Sequence, residues 1–138
     1  MSGDLMSAMS SAASGLRAQT VRIRVSAENL ANANSTGDTP GADPYQRKVP
    51  VFKNYLDRES GAERVKVSGV HNDTAPFTVK FDPTHPAADE GGMVKYSNVS
   101  ALVEMTDMRE AQRAYEANLN VVEASRSMLL AAVDILKA

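Results

Sequence analysis

The stretch NVSALVEMTDMREAQRAYEANLNVVEASRSMLLAAVDILKA, residues 98–138, decides the architecture. It contains neither Pro nor Gly, so nothing in it interrupts a helix. Met108, Tyr115, Val122, Leu129 and Leu136 recur every seven residues. Met105, Gln112, Leu119, Arg126 and Val133 form a second heptad series, and together the two series read as an a/d stripe over more than four heptads. A helix starting near Asn98 and running to the end would be about 58 Å long at 1.5 Å per residue, more than a small globular domain can cover. Glu110/Arg113, Glu123/Arg126 and Asp134/Lys137 sit three apart with the acid first, which supports the helix by a few tenths of a kcal/mol per pair.

Outward from that stretch, the other flank carries a matching pattern. Leu5, Met9, Ala12, Leu16, Ile23 and Leu30 follow steps of four and three, with Gln19 and Ser26 in the polar slots. This predicts a helix from about Asp4 to Asn32 with a heptad seam. Gly15 weakens it by roughly 1 kcal/mol relative to Ala. Asn32-Ala33-Asn34-Ser35-Thr36-Gly37-Asp38 then stops it. The middle is extended and holds all six Pro residues, between Pro40 and Pro86. Phe77, Val79 and Phe81 alternate with polar residues and predict a half-buried strand. Val65/Val67, Val49–Phe52 and Met93–Tyr96 are further strands; Gly69 allows a bulge and Pro50 argues for an edge. Turns fall at Ser60-Gly61, Asn72-Asp73 and Glu90-Gly91-Gly92. The expected class is α+β: long terminal helices paired into a coiled-coil-like arm, with a small antiparallel β module inserted between them. The expected division is 1–36, 37–97 and 98–138.

Composition excludes several functions. Of 138 residues none is Cys and two are His, which removes disulfides, thiolate metal sites and a cysteine nucleophile. Net charge is −2 and evenly spread, so Arg17, Arg22 and Arg24 are no basic arm for nucleic acid. No apolar run approaches the roughly 20 residues of a membrane span. The N-terminus lacks the positive start and apolar run of a cleaved secretory signal, which by itself reads as cytosolic. His71 has only Asp73 nearby in sequence, short of the three or four ligands a metal needs. Asp82 and Asp89 read as turn formers. No G-x-S-x-G elbow occurs, and Gly91-Gly92 has no following helix to cradle phosphate. Met105, Met108 and Met128 read as packing surface. Nothing points to an enzyme, a cofactor or a metal.

What remains is two apolar seams that need partners, each buried Leu or Val being worth roughly 1.5–3 kcal/mol. The arms can pack on each other or on other subunits. An assembly protein is the first reading, and a soluble helical adaptor or export chaperone is the alternative.

The arms also carry recognisable words. Ser14-Gly15-Leu16, then Glu28-Asn29-Leu30-Ala31-Asn32-Ala33-Asn34, then Tyr45-Gln46-Arg47, resemble the signature of flagellar rod and hook proteins. Val65-Lys66-Val67, Phe81-Asp82-Pro83-Thr84-His85-Pro86-Ala87-Ala88-Asp89, Val94-Lys95-Tyr96-Ser97-Asn98-Val99 and Arg113-Ala114-Tyr115-Glu116-Ala117-Asn118 narrow the resemblance to the proximal-rod branch of that axial family. Ser97 stands where the family usually has Pro, and Phe81 where it often has Tyr. The resemblance implies a structural subunit that polymerises helically through its terminal helices around an export channel. It implies export without a cleaved signal, a home in the periplasmic rod, and contacts with itself, other rod proteins, and membrane-ring and export-apparatus proteins at the rod base. The interface residues it implies are Leu16, Ile23, Asn29, Leu30 and Asn32 on the first arm. On the second they are Met105, Met108, Tyr115, Leu119, Val122, Leu129, Val133 and Leu136.

Overall fold

A computed structural model describes residues 2–138. Helix α1 spans Ser2–Ala31 and helix α2 spans Ala101–Lys137. Between them lie β1 (Lys48–Leu56), β2 (Glu63–Asn72), β3 (Thr78–Phe81) and β4 (Met93–Tyr96). β1 pairs with β2 and β3 with β4, both antiparallel, giving two separate two-stranded sheets. This is the α+β arrangement that the periodicities predict. At 37 residues α2 is about 55 Å long. None of the described helices is long and apolar enough to cross a membrane.

The two helices run antiparallel along each other. Leu5 shares a cleft with Met128 and Leu129, Gly15 lies against Asn118, and Arg22 pairs with Glu110. On α1 the expected seam is met in part: Ala12 and Ser26 are buried and Leu5, Met9, Leu16, Gln19, Ile23 and Leu30 are half-buried, but Ser14, Gly15, Ala18, Val25 and Asn29, outside that series, are buried too. On α2 only one of the two expected series faces inward. Met108, Tyr115, Val122 and Leu129 are half-buried. Their companions are Glu104, Ala111 and Ser125, all buried, with half-buried Asn118. The expected second series of Met105, Gln112, Leu119, Arg126 and Val133 is displaced by one residue and lies exposed.

Side-chain size explains the displacement. A Cβ on Gly15 would lie 2.6 Å from Asn118 Nδ2, so the backbones approach too closely for a Met or Leu at that layer. Small and polar residues take that half of the seam, beside Met108, Tyr115, Val122 and Leu129, and the apolar residues of the second series turn outward. The expected pairing of Glu110 with Arg113 also gives way, since Glu110 reaches across the seam to Arg22 at 3.0 Å.

A second side of α1 receives the hairpin β1–β2. Ser14 and Ala18 border Val65 and Val67. A row of hydroxyls meets the hairpin turn and the first residues of β2: Ser7 Oγ donates to the Ser60 carbonyl at 3.1 Å, Ser11 Oγ donates to the Glu63 carbonyl at 2.6 Å, and the Val65 N–H donates to Ser14 Oγ at 3.1 Å. Positions 7, 11 and 14 share one helix face, so the Ser-rich start of α1 satisfies peptide groups at the tip of the hairpin that would otherwise be open.

The hairpin turns at Ser60-Gly61, where Gly61 has φ +67°, and its register slips between Val51 and Phe52, opposite the predicted Gly69 region. Glu90-Gly91-Gly92 closes β3–β4, with Gly92 at φ +77°. Asp89 Oδ1 accepts the N–H groups of Gly91 and Met93, and Asp82 Oδ1 accepts from Thr84, which makes both carboxylates turn formers as expected. One expectation fails here. All four residues of β3 are exposed, Phe81 by 70%, because no layer covers that face of the second sheet.

The close approach at Gly15 sets a test. Gly15→Ala should forgo the roughly 1 kcal/mol of helix propensity that Ala supplies, because its Cβ displaces Asn118. Gly15→Leu should cost about 1–3 kcal/mol as an overpacking change. Urea unfolding followed by helical circular dichroism measures both. Adding Asn118→Ala should recover stability in Gly15→Ala, and a Gly15→Leu variant as stable as the parent would refute the close packing.

Candidate assembly surface

Two side-chain clusters lock the β module onto the helices and so define which surfaces remain free. The first is built on Asn29, which is buried near the end of α1. Its Nδ2 donates to the Lys48 carbonyl at 2.8 Å and its Oδ1 accepts the Lys48 N–H at 2.9 Å. The amide thus acts as a neighbouring strand residue would, answering both peptide groups of one residue. Tyr45 adds its hydroxyl to the same Oδ1 at 2.8 Å. Burial, with Glu28 nearby, raises the Tyr45 pKa, keeping that hydroxyl a donor. Asn32 acts locally instead: its Nδ2 donates to the Glu28 carbonyl at 2.8 Å, beside its own backbone N–H at 3.3 Å, and so ties down the last turn of the helix. Both amides therefore make their hydrogen bonds inside their own chain.

The second cluster is built on Arg47. Its Nε donates to Glu104 Oε1 at 2.5 Å, its Nη1 to Asp73 Oδ2 at 3.3 Å, and its Nη2 lies 3.5 Å from Asp107 Oδ2. The Glu104 side chain is 1% exposed, so Arg47 is what makes a buried carboxylate tolerable there. Burial works to lower the Arg47 pKa, but the Glu104 hydrogen bond and charge, backed by Asp73, outweigh it and hold the guanidinium above its ordinary value. Asn98 completes the joint. Its Oδ1 accepts the Arg47 N–H at 2.7 Å, and its Nδ2 donates to the carbonyls of Asp73 and Ala75. Arg22 extends the charge row along α2 to Asp107 and Glu110.

With those joints closed, the residues expected at an interface divide. Leu16, Ile23, Leu30, Met108, Tyr115, Val122 and Leu129 lie half-buried along the helix pair, and Asn29 and Asn32 are occupied as above. Met105, Leu119, Val133 and Leu136 face outward, Leu136 by 85%. Exposed Leu102, Val103, Val121, Met128, Leu130 and Ile135 join them. Residues 131–138 are all exposed, although Ala132 still lines the cleft that Ser2 and Leu5 form with Leu129. Together these residues leave α2 with an apolar surface open to water. The Arg47–Glu104 joint was not foreseen. Its signal was Glu104 in heptad phase with Ala111, Asn118 and Ser125, together with Arg47 in the Tyr45-Gln46-Arg47 word. Among the described residues no cluster of three or more His, Asp and Glu side chains is placed to hold a metal ion.

These joints make two measurable claims. Arg47→Leu strands a buried carboxylate and should cost about 3–5 kcal/mol, whereas Arg47→Leu with Glu104→Leu should cost less than Arg47→Leu alone. A double-mutant cycle by urea unfolding checks the sign of the coupling. The second claim concerns acid. The Ala75 N–H and then Arg47 hold Asp73 below the ordinary carboxylate value of 3.8; the Glu59 N–H and Ser60 do so for Asp57, and Thr84 for Asp82. The stability these groups contribute is fully present above their unfolded value and drains as pH falls through their lower folded values. The urea midpoint should therefore fall below about pH 4, and Asp73→Asn should be less stable than the parent at pH 6 yet lose less on acidification. A parent and an Asp73→Asn variant with the same pH slope would contradict this.

Comparison with known proteins agrees with the geometry. The family described as "Flagellar basal body rod FlgEFG protein C-terminal" matches residues 90–135, which cover β4 and nearly all of α2. A flagellar basal-body rod protein FlgC from Agrobacterium fabrum is 52% identical over 134 residues, 97% of this chain and 96% of the relative. Proteins of the same name from Borreliella burgdorferi and Salmonella typhimurium are 38% and 40% identical, covering 96% and 86% of this chain and 98% and 88% of their own lengths. With more than half its residues identical across nearly the whole of both chains, this protein belongs to the FlgC family of flagellar basal-body rod proteins.

Proposed function

We propose that this chain builds the proximal rod by helical polymerisation, with the outward apolar face of α2 as its principal contact. The observation that carries the reading is the row of unpartnered residues along that helix: Met105, Leu119, Val133 and Leu136 with Leu130 and Ile135. Burying several of these would contribute roughly 1.5–3 kcal/mol each, while in the free chain they meet water. In this reading the helical segments 1–36 and 98–138 form the wall around the export channel, and segment 37–97 faces outward. The half-buried residues Leu16, Ile23, Leu30, Met108, Tyr115, Val122 and Leu129 complete the contacts from the grooves of the helix pair. Asn29 and Asn32 act at one remove, by fixing the loop that follows α1.

The setting follows the same reading. The subunit passes unfolded through the flagellar export apparatus without a cleaved signal and assembles in the periplasm. The absence of Cys suits a chain that travels reduced into an oxidising space. Its neighbours are other copies, other rod proteins, and the ring and export proteins at the rod base. Membership of a rod family leaves the adaptor or chaperone alternative without support.

Leu136→Asp tests the contact. The side chain is exposed in the free chain, so monomer stability should stay within about 0.5 kcal/mol of the parent. In the polymer the same carboxylate would be buried unpaired at a cost of several kcal/mol, and each 1.4 kcal/mol is about a tenfold loss of affinity. Export should persist while incorporation into basal bodies falls at least tenfold. Glu116→Lys is the control and should incorporate normally. Equal incorporation of Leu136→Asp and the parent would show that this part of α2 is not a contact.

A further inference from the structure

Each of the two small sheets has a strand edge with peptide groups that nothing among the described residues bonds. On β1 the outward peptide groups can be identified from two independent anchors. Lys48 exchanges both of its bonds with Asn29, and Val65, the partner of Asn54, donates outward to Ser14. Outward groups on β1 thus belong to the even positions, because strand residues alternate. Lys48 is occupied and Pro50 has no N–H to offer. Phe52, Asn54 and Leu56 remain, and among the described residues nothing bonds their outward peptide groups.

The second sheet reads the same way. The Asp82 N–H donates to the Gly92 carbonyl at 2.9 Å, continuing the ladder inward at even positions. The outward groups of β3 are therefore those of Val79 and Phe81. The far edge of β4 is already in use: Ser97 donates to the Ser35 carbonyl, Thr36 bridges Tyr96, and Asp89 takes both peptide groups of Met93.

We propose that these unlike edges pair between copies of this chain. The β1 edge of one subunit adds to the β3 edge of the next, joining the two-stranded sheets into one four-stranded sheet across the boundary. Three observations argue for a second copy as the occupant. The chain closes the first residues of β2 with Ser11 and Ser14 and the start of β1 with Asn29 and Pro50, yet leaves these two edges open, flanked by exposed Phe52, Leu56, Val79 and Phe81. Such edges are otherwise an aggregation hazard. The two sheets are also oppositely charged: residues 48–72 carry five Lys/Arg and three Asp/Glu, whereas residues 73–98 carry two and four. The Lys80 ammonium rests within its own sheet, 4.9 Å from the Tyr96 ring centroid. Finally, β1 joined to β3 is a heterologous contact, which propagates into a helical stack, whereas β1 joined to β1 would close a dimer and stop.

The inference rests on the rod-subunit reading, and the test separates the two. The chain has no native Cys, so engineered thiols report cleanly. Asn54→Cys is combined with Val79→Cys, or with Phe81→Cys for the alternative register. Each single variant is the control, and basal bodies are treated with a mild oxidant and run on non-reducing gels. Paired strands bring opposite Cα atoms to about 4.5–5.5 Å, within disulfide reach. The expected result is a ladder of multimers from one double variant and only monomer from each single variant. A dimer from either single variant, or only monomer from both double variants, overturns the pairing while the subunit's presence in the basal body upholds the rod reading. Absence of the parent subunit from basal bodies removes both. Hydrogen exchange on the unsubstituted protein gives a second reading. The amides of Phe52, Asn54, Leu56, Val79 and Phe81 should exchange at least tenfold more slowly in the rod than in the monomer, and unchanged rates there also overturn the pairing.

Discussion

The Arg47 guanidinium holds three parts of the chain in register. It sits at the start of β1, answers Glu104 in the first turns of α2, and reaches Asp73 just beyond β2. Glu104 has almost no contact with water, so without Arg47 its charge would be stranded or lost. The asymmetry matters more than the strength of the bond. A buried pair adds little net stability over an apolar equivalent, but it punishes every arrangement in which the two groups fail to meet. Asn29 performs the neutral counterpart of that role at the other helix, by accepting and donating to the same Lys48 peptide. Together these joints let a module of two small sheets, neither with a core of its own, take a defined place against a pair of long helices.

That division of labour explains a fold with few large buried side chains. Its buried apolar residues are mostly Ala, with Val25 and Val94. The helix pair is close because Gly15, Ala111, Asn118 and Ser125 leave room at its seam, so Met105, Leu119 and Val133 of α2 project outward. A chain selected to stand alone would reverse that choice. A structural subunit of the flagellar rod has other copies to supply the missing apolar partners, and stability withheld from the monomer becomes available to the assembly.

Much of this was legible in the residues. Pro and Gly placement marked the helices and the turns, the Asp82 and Asp89 turns followed from local chemistry, and the seam of α1 was legible in part, through Ala12 and Ser26. The errors share one cause. Heptad arithmetic places the more hydrophobic series inside, so Met105, Leu119 and Val133 were expected at the seam in place of Glu104, Ala111, Asn118 and Ser125. Alternation likewise suggested that Val79 and Phe81 were half-buried. Both rules assume that apolar residues face the chain's own interior, and in this chain several of them do not.

The sequence by itself determined the helices, the turns, the edge position of Pro50 and the family, because each depends on short-range backbone chemistry or on words of a few residues. Only the tertiary structure decided which heptad series is internal, that Asn29 serves a strand, that serines of α1 hold the tip of the β1–β2 hairpin, and that Arg47 and Glu104 meet. Those facts depend on the distance between backbones separated by dozens of residues. The absent Cβ of Gly15 sets that distance, and no periodicity along one helix records how near the other can come.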